Sequence, residues 1–321
     1  MRTLHLTSLP LTIAILAGCG GSQTPMLQLS PQVPQSGKSW MLPGSSSGDL
    51  VYAASGANVY IYSYPGGKQV GELTGFHDAL GACSDANGKV WITDAAGNYT
   101  GGSLVEYAHG GTTPIATLED QGDFIPIACS VDPSTGNLAA ANHIRGGAEY
   151  PITVWTNAQG SPTYYQRTLG VAANDPFTIA YYKGSDLYIR SMRYKKGEAW
   201  LPKGGSSIEQ FSVRKHGYYV RDGRYLVIGG ELRGKREILT LYSLNGASGT
   251  VEGKVTLDFV PSVCYPTGPF AIQGSELATV CGSKIVYYKY PSGGSSITII
   301  SNVDATGIAI SVAPSHSRTR R

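Results

Sequence analysis

A strand-like run that ends in a glycine turn recurs along most of this 321-residue chain. A repeat spaced by about 40 to 50 residues restricts a chain to folds built from equivalent units that pack side by side. The clearest copies are aromatic-rich runs entering a Gly-Gly turn, at Val59–Gly67, Ser103–Gly111 and Ile285–Gly294. Weaker copies occur at Thr153–Gly160, Ile208–Phe211 and Leu239–Gly246.

Each repeat also contains an apolar run ahead of its glycine-turn strand, as buried strands do. The 42 glycines, and 21 tyrosines against 6 phenylalanines, are typical of many turns and half-buried strand positions. We therefore predict an all-β fold, a six-bladed β-propeller over residues 49–312. The buried-strand candidates are Val90–Asp94, Leu138–Ala141, Leu187–Arg190, Tyr225–Ile228 and Leu277–Val280.

The two ends of the repeat region are incomplete in complementary ways. Thr306–Val312 resembles a first strand without partners, whereas the first unit, from Asp49, lacks its opening strand. We expect the ends to complete one blade together, because ring closure removes an open sheet edge. Removing residues 304–312 is predicted to unfold the domain.

The N-terminus has the pattern of an export signal. Arg2 precedes an apolar stretch over residues 9–16, too short to span a bilayer as a helix, which takes about 20 residues. The segment Leu16-Ala17-Gly18-Cys19 resembles the lipobox of bacterial lipoproteins, which implies cleavage before Cys19 and its acylation, as with palmitate. The alternative is an ordinary secretory signal with a chance cysteine.

These features divide the chain into a signal peptide (1–18), a tether with lipidated Cys19 (19–48), the propeller (49–312) and a basic disordered tail (313–321). The predicted location is the cell envelope, with a lipid anchor in the membrane. Gly20 favours the outer membrane where the cell has one. The net charge of +3 does not indicate a nucleic-acid partner, and a monomer is expected.

Two segments resemble the repeat of NHL and SMP-30-like propellers, in which an Asp-x-x-Gly turn joins two strands. They are Ser84–Asp94 and Val131–Leu138. SMP-30 and gluconolactonase enzymes hold a divalent cation through Glu and Asn or Asp near the axis. The corresponding first-strand positions here carry none of these carboxylates, so no metal or cofactor is expected; they are Leu80–Ala82, Pro126–Ala128 and Gly268–Phe270.

Four cysteines follow Cys19, an even number that favours disulfides in an exported protein. Cys83 and Cys129 occupy equivalent places in adjacent units, so a bond between them is geometrically possible. Cys264 and Cys281 fall within one unit and form the second candidate pair. Buried free thiols remain the alternative.

The loops joining second and third strands in units three to five are long and charged, which is often a sign of function. They predict a basic crescent that binds a carbohydrate or an anionic protein or polymer, with Tyr194 and Trp200 exposed for stacking. The other interpretation is a set of solvated loops. The candidate residues are His143, Arg145, Arg193, Tyr194, Lys196, Trp200, Arg233 and Arg236.

Further polar side chains fall in loops between units on the same face: His77, Asp78, Asn174, Asp175 and His216. The sequence contains no Gly-x-Ser-x-Gly, His-Glu-x-x-His or phosphate-loop motif. Two hypotheses follow. The first is a membrane-tethered binding or scaffold propeller without catalytic residues, and the second is a lactonase- or lyase-like enzyme of the SMP-30 type.

Overall fold

Runs of β-branched and aromatic residues between glycine turns form antiparallel strands throughout the described chain. The structure is a computed structural model that describes residues 38–98, 100–120, 124–144, 152–166, 176–191, 198–213, 217–258 and 268–314. No helix among these residues is long and apolar enough to cross a membrane.

The strands are numbered in chain order. They are β1 (Trp40–Met41), β2 (Leu50–Ser63), β3 (Gln69–Ser84), β4 (Val90–Ala95), β5 (Gly102–Tyr107), β6 (Pro114–Asp120), β7 (Phe124–Val131), β8 (Leu138–Ile144), β9 (Ile152–Trp155), β10 (Thr163–Tyr165), β11 (Pro176–Tyr181), β12 (Leu187–Ser191), β13 (Glu198–Leu201), β14 (Glu209–Gln210), β15 (Tyr219–Arg221), β16 (Leu226–Arg233), β17 (Arg236–Asn245), β18 (Ser248–Asp258), β19 (Phe270–Gln273), β20 (Glu276–Val280), β21 (Lys284–Lys289), β22 (Thr298–Ser301) and β23 (Gly307–Ser311). This confirms the predicted all-β class.

The strands pair into small antiparallel sheets whose members follow one another in the chain. Four sheets have four strands each: β7–β10, β11–β14, β15–β18 and β19–β22. The remaining sheet has the order β23-β2-β3-β4-β5-β6, with β1 added on β3. The predicted buried-strand candidates correspond to β4, β8, β12, β16 and β20, except that β16 begins at Leu226, one residue after the predicted start at Tyr225.

The long strands β2 and β3 each take part in two pairings. Residues 50–54 of β2 pair with β23, and residues 58–62 pair with residues 69–74 of β3. The Tyr64 N–H donates to the Asp49 carbonyl, which brings the two ends of β2 together. Gly56, with a φ of 58°, lies between the two halves of β2. Residues 79–84 of β3 then pair with β4.

The first strand of each group lines a central cavity of about 860 Å³. These strands are residues 80–84 of β3, together with β7, β11, β15, β19 and β23. The backbones converge closely there, since a Cβ added to Gly307 would lie 2.5 Å from the Gly81 Cα. Only glycine fits at such a contact. We call this cavity the central channel.

The C-terminal strand closes the ring of sheets, as the sequence predicts. Leu50 pairs with Ser311 and Ala54 with Gly307, at the two ends of the β2–β23 pairing. The Ala313 N–H donates to Asp49 Oδ1 at 2.8 Å. The first described strand group is therefore completed by residues from both ends of the domain.

The folded part begins earlier than the predicted boundary at Asp49. Trp40 pairs with Glu72 and Met41 with Gly71, so β1 extends the outer edge of the first group. The Thr74 N–H also donates to Ser39 Oγ. Two contacts explain the difference: Met41 packs against the hydrophobic core of the first group, and the pairing of β1 covers an otherwise open strand edge.

Tyrosine side chains account for much of the packing between sheets. Tyr52, Tyr107, Tyr188 and Tyr287 are among the largest fully buried side chains. Several hydroxyls reach loops of other strands, as when Tyr188 Oη donates to the Gly246 carbonyl at 3.0 Å. Such positions need an apolar ring with a polar tip, which explains the preference for tyrosine over phenylalanine.

Candidate binding site in the central channel

Three first strands carry a β-bulge at the same level. In β3, Ala79 pairs with Asp94 and Gly81 with Thr93, which leaves Leu80 as the extra residue. The same irregularity leaves Ile127 unpaired in β7 and Phe177 unpaired in β11. A bulge redirects the side chain of its extra residue. All three residues line the channel.

Together with residues of the next two sheets, these side chains form an apolar ring at one end of the channel. Phe177 and Tyr218 meet edge to face, with ring centroids 5.1 Å apart. A hydrogen bond between β11 and β15 holds these side chains at the same height along the channel: the Tyr219 N–H donates to Thr178 Oγ1. We call this ring the apolar collar, formed by Leu80, Ile127, Phe177, Tyr218 and Pro269.

The opposite end of the channel is mixed. Its polar lining residues are Ser84, Asp85, Arg221, Asp222 and Gln273, and Val131, Pro133 and Val312 line the same end. The Arg221 guanidinium donates from Nη2 to the Gly223 carbonyl over 3.4 Å, and its buried Nε has no partner among the described residues. The channel therefore has an apolar collar at one end and charged residues of both signs, Asp85, Arg221 and Asp222, at the other.

A disulfide lies in the channel wall. Cys83 in β3 is bonded to Cys129 in β7, with Cα atoms 5.6 Å apart, and both residues line the cavity. This confirms the predicted pairing between equivalent positions of adjacent units. Cys281 is also disulfide-bonded, whereas Cys264, its predicted partner, lies outside the described residues.

A buried carboxylate holds the part of β3 that precedes the collar, where His77 and Asp78 lie within a strand rather than in the predicted loop. Asp94 Oδ1 accepts the backbone N–H groups of His77 and Asp78, at 2.9 and 2.8 Å. The imidazole Nδ1 of His77 lies 3.8 Å from Asp94 Oδ2, and that side chain is half exposed. Burial raises the pKa of Asp94 above its ordinary value despite these contacts. The candidates Asn174, Asp175 and His216 lie outside the described residues.

The predicted basic crescent is described only in part, because Arg145, Arg193, Tyr194 and Lys196 lie outside the described residues. His143 is partly buried in β8, opposite Ile125. The two described arginines each contact a carboxylate. Arg233 Nε lies 3.0 Å from Glu231 Oε1, and Arg236 Nε lies 3.1 Å from Asp258 Oδ1.

Trp200 is not the exposed loop side chain that the sequence suggested. It is partly buried in β13, where its ring stacks on Tyr188 at 6.0 Å and 20° between planes. Its hydrophobic neighbours include Phe211 and Tyr242. Trp200 is buried because it belongs to a strand: it pairs with Tyr188 on one side and with Glu209 on the other. The prediction had placed it in a charged loop.

No group of three or more His, Cys, Asp or Glu side chains among the described residues is arranged to hold a metal ion. Sequence reasoning had singled out Leu80, Ile127 and Pro269 as first-strand positions, but it missed Phe177, Tyr218 and Arg221. The Asp222-Gly223 pair is a hairpin signal that predicts a strand ending at Arg221.

The fold and channel define a β-propeller protein. No protein-family model and no curated protein matches the sequence. The chain is similar in structure to a protein of unknown function from Bacteroides caccae, with a TM-score of 0.54 and 13% identity over 83% of this chain and 99% of that one.

Two further solved structures share the fold. Hydrazine synthase of Kuenenia stuttgartiensis gives a TM-score of 0.52 and 12% identity, covering 91% of this chain and 94% of that one. A putative 6-phosphogluconolactonase from Bacteroides uniformis gives 0.51 and 12%, covering 82% and 99%. At sequence identities of 12–13%, the structural similarity shows a shared fold and no shared function.

Proposed function

We propose that this protein is an exported, lipid-anchored binding propeller that takes its ligand in the central channel. The observation that carries this proposal is the cavity of about 860 Å³ bordered by the apolar collar. Ligand sites in proteins typically have volumes of about 300–1,000 Å³, mostly apolar walls and a few placed polar groups. The channel has each of these properties.

We also propose that the ring has six blades. The support is the division of β2 and β3, each of which contributes to two pairings. With that division, the seven-stranded sheet becomes two four-stranded groups with β1 added at an edge. In a propeller the first strand of every blade lies next to the central axis. The strands that line the channel support this arrangement.

The proposed anchor is a diacylglycerol-modified Cys19 at the cell envelope. The lipobox-like segment Leu16–Cys19 supports the anchor, and the Cys83–Cys129 bond supports export, since disulfides persist in oxidising compartments. Metabolic labelling with palmitate and membrane fractionation test the anchor. The wild-type protein is expected to incorporate the palmitate label and to sediment with the membrane fraction. The Cys19→Ala variant is expected to lose the label and to leave the membrane fraction. A Ser22→Ala variant is the control, and label retained by Cys19→Ala contradicts the anchor.

Channel binding is tested with the neutral fluorescent probe N-phenyl-1-naphthylamine and purified full-length protein. We expect saturable one-to-one binding that weakens at least tenfold in Ile127→Trp, because the larger ring fills the collar. Ile115→Trp is the matched control, since Ile115 is 52% exposed on β6. Leu80→Phe provides a second obstruction with a smaller change in volume. Equal probe binding in all four proteins contradicts the proposal.

The second candidate is a lactonase-like enzyme, because the putative 6-phosphogluconolactonase from Bacteroides uniformis shares the fold. Hydrolysis of sugar lactones by the purified protein, followed by pH-stat titration, tests it. Turnover that Ile127→Trp abolishes and Ile115→Trp preserves would favour an enzyme over a binding protein.

A further inference from the structure

We propose that Trp40 and Leu42 on β1 form an apolar patch that contacts the membrane carrying the lipid anchor. This rests on the proposed function, because it assumes an acylated Cys19. The partner is a phospholipid surface, contacted at the depth of its headgroups. The carrying observation is that the two side chains are 38% and 39% exposed on the first described strand after Cys19.

The two faces of β1 differ in burial. Met41 packs against the hydrophobic cluster around Ile61 and Leu73, and the Leu42 N–H donates to the Val70 carbonyl at 2.8 Å. Successive side chains of an extended strand point to opposite faces. Trp40 and Leu42 therefore share the face turned away from this cluster, and packing within the domain accounts for Met41 but not for them.

The surroundings of Trp40 set the depth of the contact. Its Nε1 donates to Glu72 Oε2 at 3.3 Å, which holds the indole ring beside a carboxylate. Carrying a charged carboxylate into hydrocarbon is costly, so the ring cannot enter deeply. Tryptophan is enriched at the headgroup level of membranes, because its ring is apolar and its N–H is polar. The patch fits this level.

The charge of the segment that leads to the patch suits a phospholipid surface. Residues 19–48 contain no Asp or Glu, and Lys38 is their only charged residue. Lys38 is exposed and lies two positions before Trp40. Its ammonium can pair with lipid phosphates while the apolar side chains lie between the headgroups. No carboxylate of this segment opposes the approach.

The predicted tether makes a small patch sufficient. Twenty residues separate Cys19 from Trp40, and a coil of this length has a root-mean-square reach of about 25 Å. Anchoring at Cys19 therefore keeps the patch near the bilayer, at an effective concentration in the millimolar range. A contact too weak to recruit a free protein is then occupied in the anchored one.

Contact through β1 leaves the channel accessible. β1 pairs with β3 at an outer edge of its sheet, whereas β23 of the same sheet lines the channel. A bilayer at this edge is separated from the channel by the width of the sheet. The anchored protein can then take its ligand from the surrounding solution.

Tryptophan fluorescence tests the contact, because the other three tryptophans are shielded. Trp91 and Trp155 are 2% and 0% exposed, and Trp200 is partly buried. The full-length lipidated protein is reconstituted into phosphatidylcholine vesicles, either unmodified or with acyl chains brominated close to the headgroup. We expect the brominated lipid to quench wild-type emission and Trp40→Phe to abolish this quenching. Trp200→Phe is the matched control and is expected to keep it.

A second variant tests the patch while keeping the reporter. Leu42→Asp places a charge beside Trp40 and is expected to reduce the quenching. Ile115→Asp is its matched control, because Ile115 is 52% exposed on β6. Circular dichroism establishes that each variant is folded.

Two results overturn the inference. One is wild-type protein that floats with the brominated vesicles but is not quenched, and the other is equal quenching of wild type and Trp40→Phe. Flotation separates these results from failure of the anchor, since wild type that does not float contradicts the acylated Cys19 itself. Unquenched wild type that sediments in detergent as a dimer, while Leu42→Asp sediments as a monomer, would assign the patch to a second copy instead.

Discussion

Cys83 in β3 and Cys129 in β7 join two sheets through a disulfide in the channel wall, with their Cα atoms 5.6 Å apart. The bond closes a sequence separation of 46 residues, which contains β4, β5 and β6. It therefore links β3 of the seven-stranded sheet to β7 of the next sheet along the chain. The wall of the channel is covalently fixed at this position.

Removing this bond is expected to destabilise the protein without changing its fold. Cross-linking a loop of this length restricts the unfolded chain, and the typical contribution is about 2–4 kcal/mol. Urea unfolding of Cys83→Ala, Cys129→Ala and the double variant measures the loss. The double variant is expected to equal either single variant, because all three lack the same bond. Unchanged unfolding midpoints in all three contradict the prediction.

Loss of β23 is expected to abolish folding, because it removes the first strand beside residues 50–54 and the Asp49–Ala313 hydrogen bond. Truncation after Val303 removes the strand, and truncation after Pro314 leaves it intact. Circular dichroism and solubility distinguish the two proteins. A cooperative thermal transition in the shorter protein would show that the ring does not need closure by its C-terminal strand.

Trp200→Ala is expected to lower stability and to leave channel binding unchanged. The indole packs on Tyr188 within the cluster around Phe211, so its removal costs about 2–3 kcal/mol, somewhat less than at a fully buried site. Trp200→Phe keeps an aromatic ring and is expected to lose less. Chemical denaturation gives the stability, and the naphthylamine probe gives the binding. Lost binding with unchanged stability would instead support the role in ligand stacking predicted from the sequence.

The stability contribution of Glu237 is expected to depend on pH. Burial raises the pKa of this carboxyl above its ordinary value of 4.5, although the Gly230 N–H donates to Glu237 Oε1 at 3.0 Å. The folded protein therefore holds the proton more tightly than the unfolded chain does. This contribution is complete below pH 4.5 and is lost as the pH rises through the raised pKa.

Glu237→Gln keeps an oxygen acceptor and removes the charge, so it tests this prediction. Its stability relative to wild type is expected to increase between about pH 4 and pH 7, measured by urea unfolding across that range. Glu252→Gln, at an exposed position of β18, controls for the loss of one negative charge. A Glu237→Gln difference that stays constant with pH contradicts the assignment.

The repeat and its incomplete ends were sufficient to predict the all-β ring and its closure, because alternation and turn residues are local properties of a strand. The pairing of Cys83 with Cys129 followed from their equivalent places in the repeat. The sequence did not predict β1, because a strand of only two residues, Trp40 and Met41, is too short to show an alternating pattern. Trp200 was misplaced because its strand is only four residues long and adjoins a charged loop.

The channel site depends on features that single-strand patterns do not contain. The bulges at Leu80, Ile127 and Phe177 arise from the pairing register between two strands, and one shifted residue changes which side chain faces the axis. The contact between Phe177 and Tyr218 joins side chains of two neighbouring sheets. Both are properties of the assembled ring.

The most direct test of a binding channel is the position of a heavy-atom ligand within it. Crystals of the protein soaked with 1-bromonaphthalene, a neutral heavy-atom analogue of the naphthylamine probe, allow the bromine to be located by anomalous scattering. We expect one bromine peak inside the channel, beside the apolar collar. Bound bromine found only outside the channel contradicts the central claim.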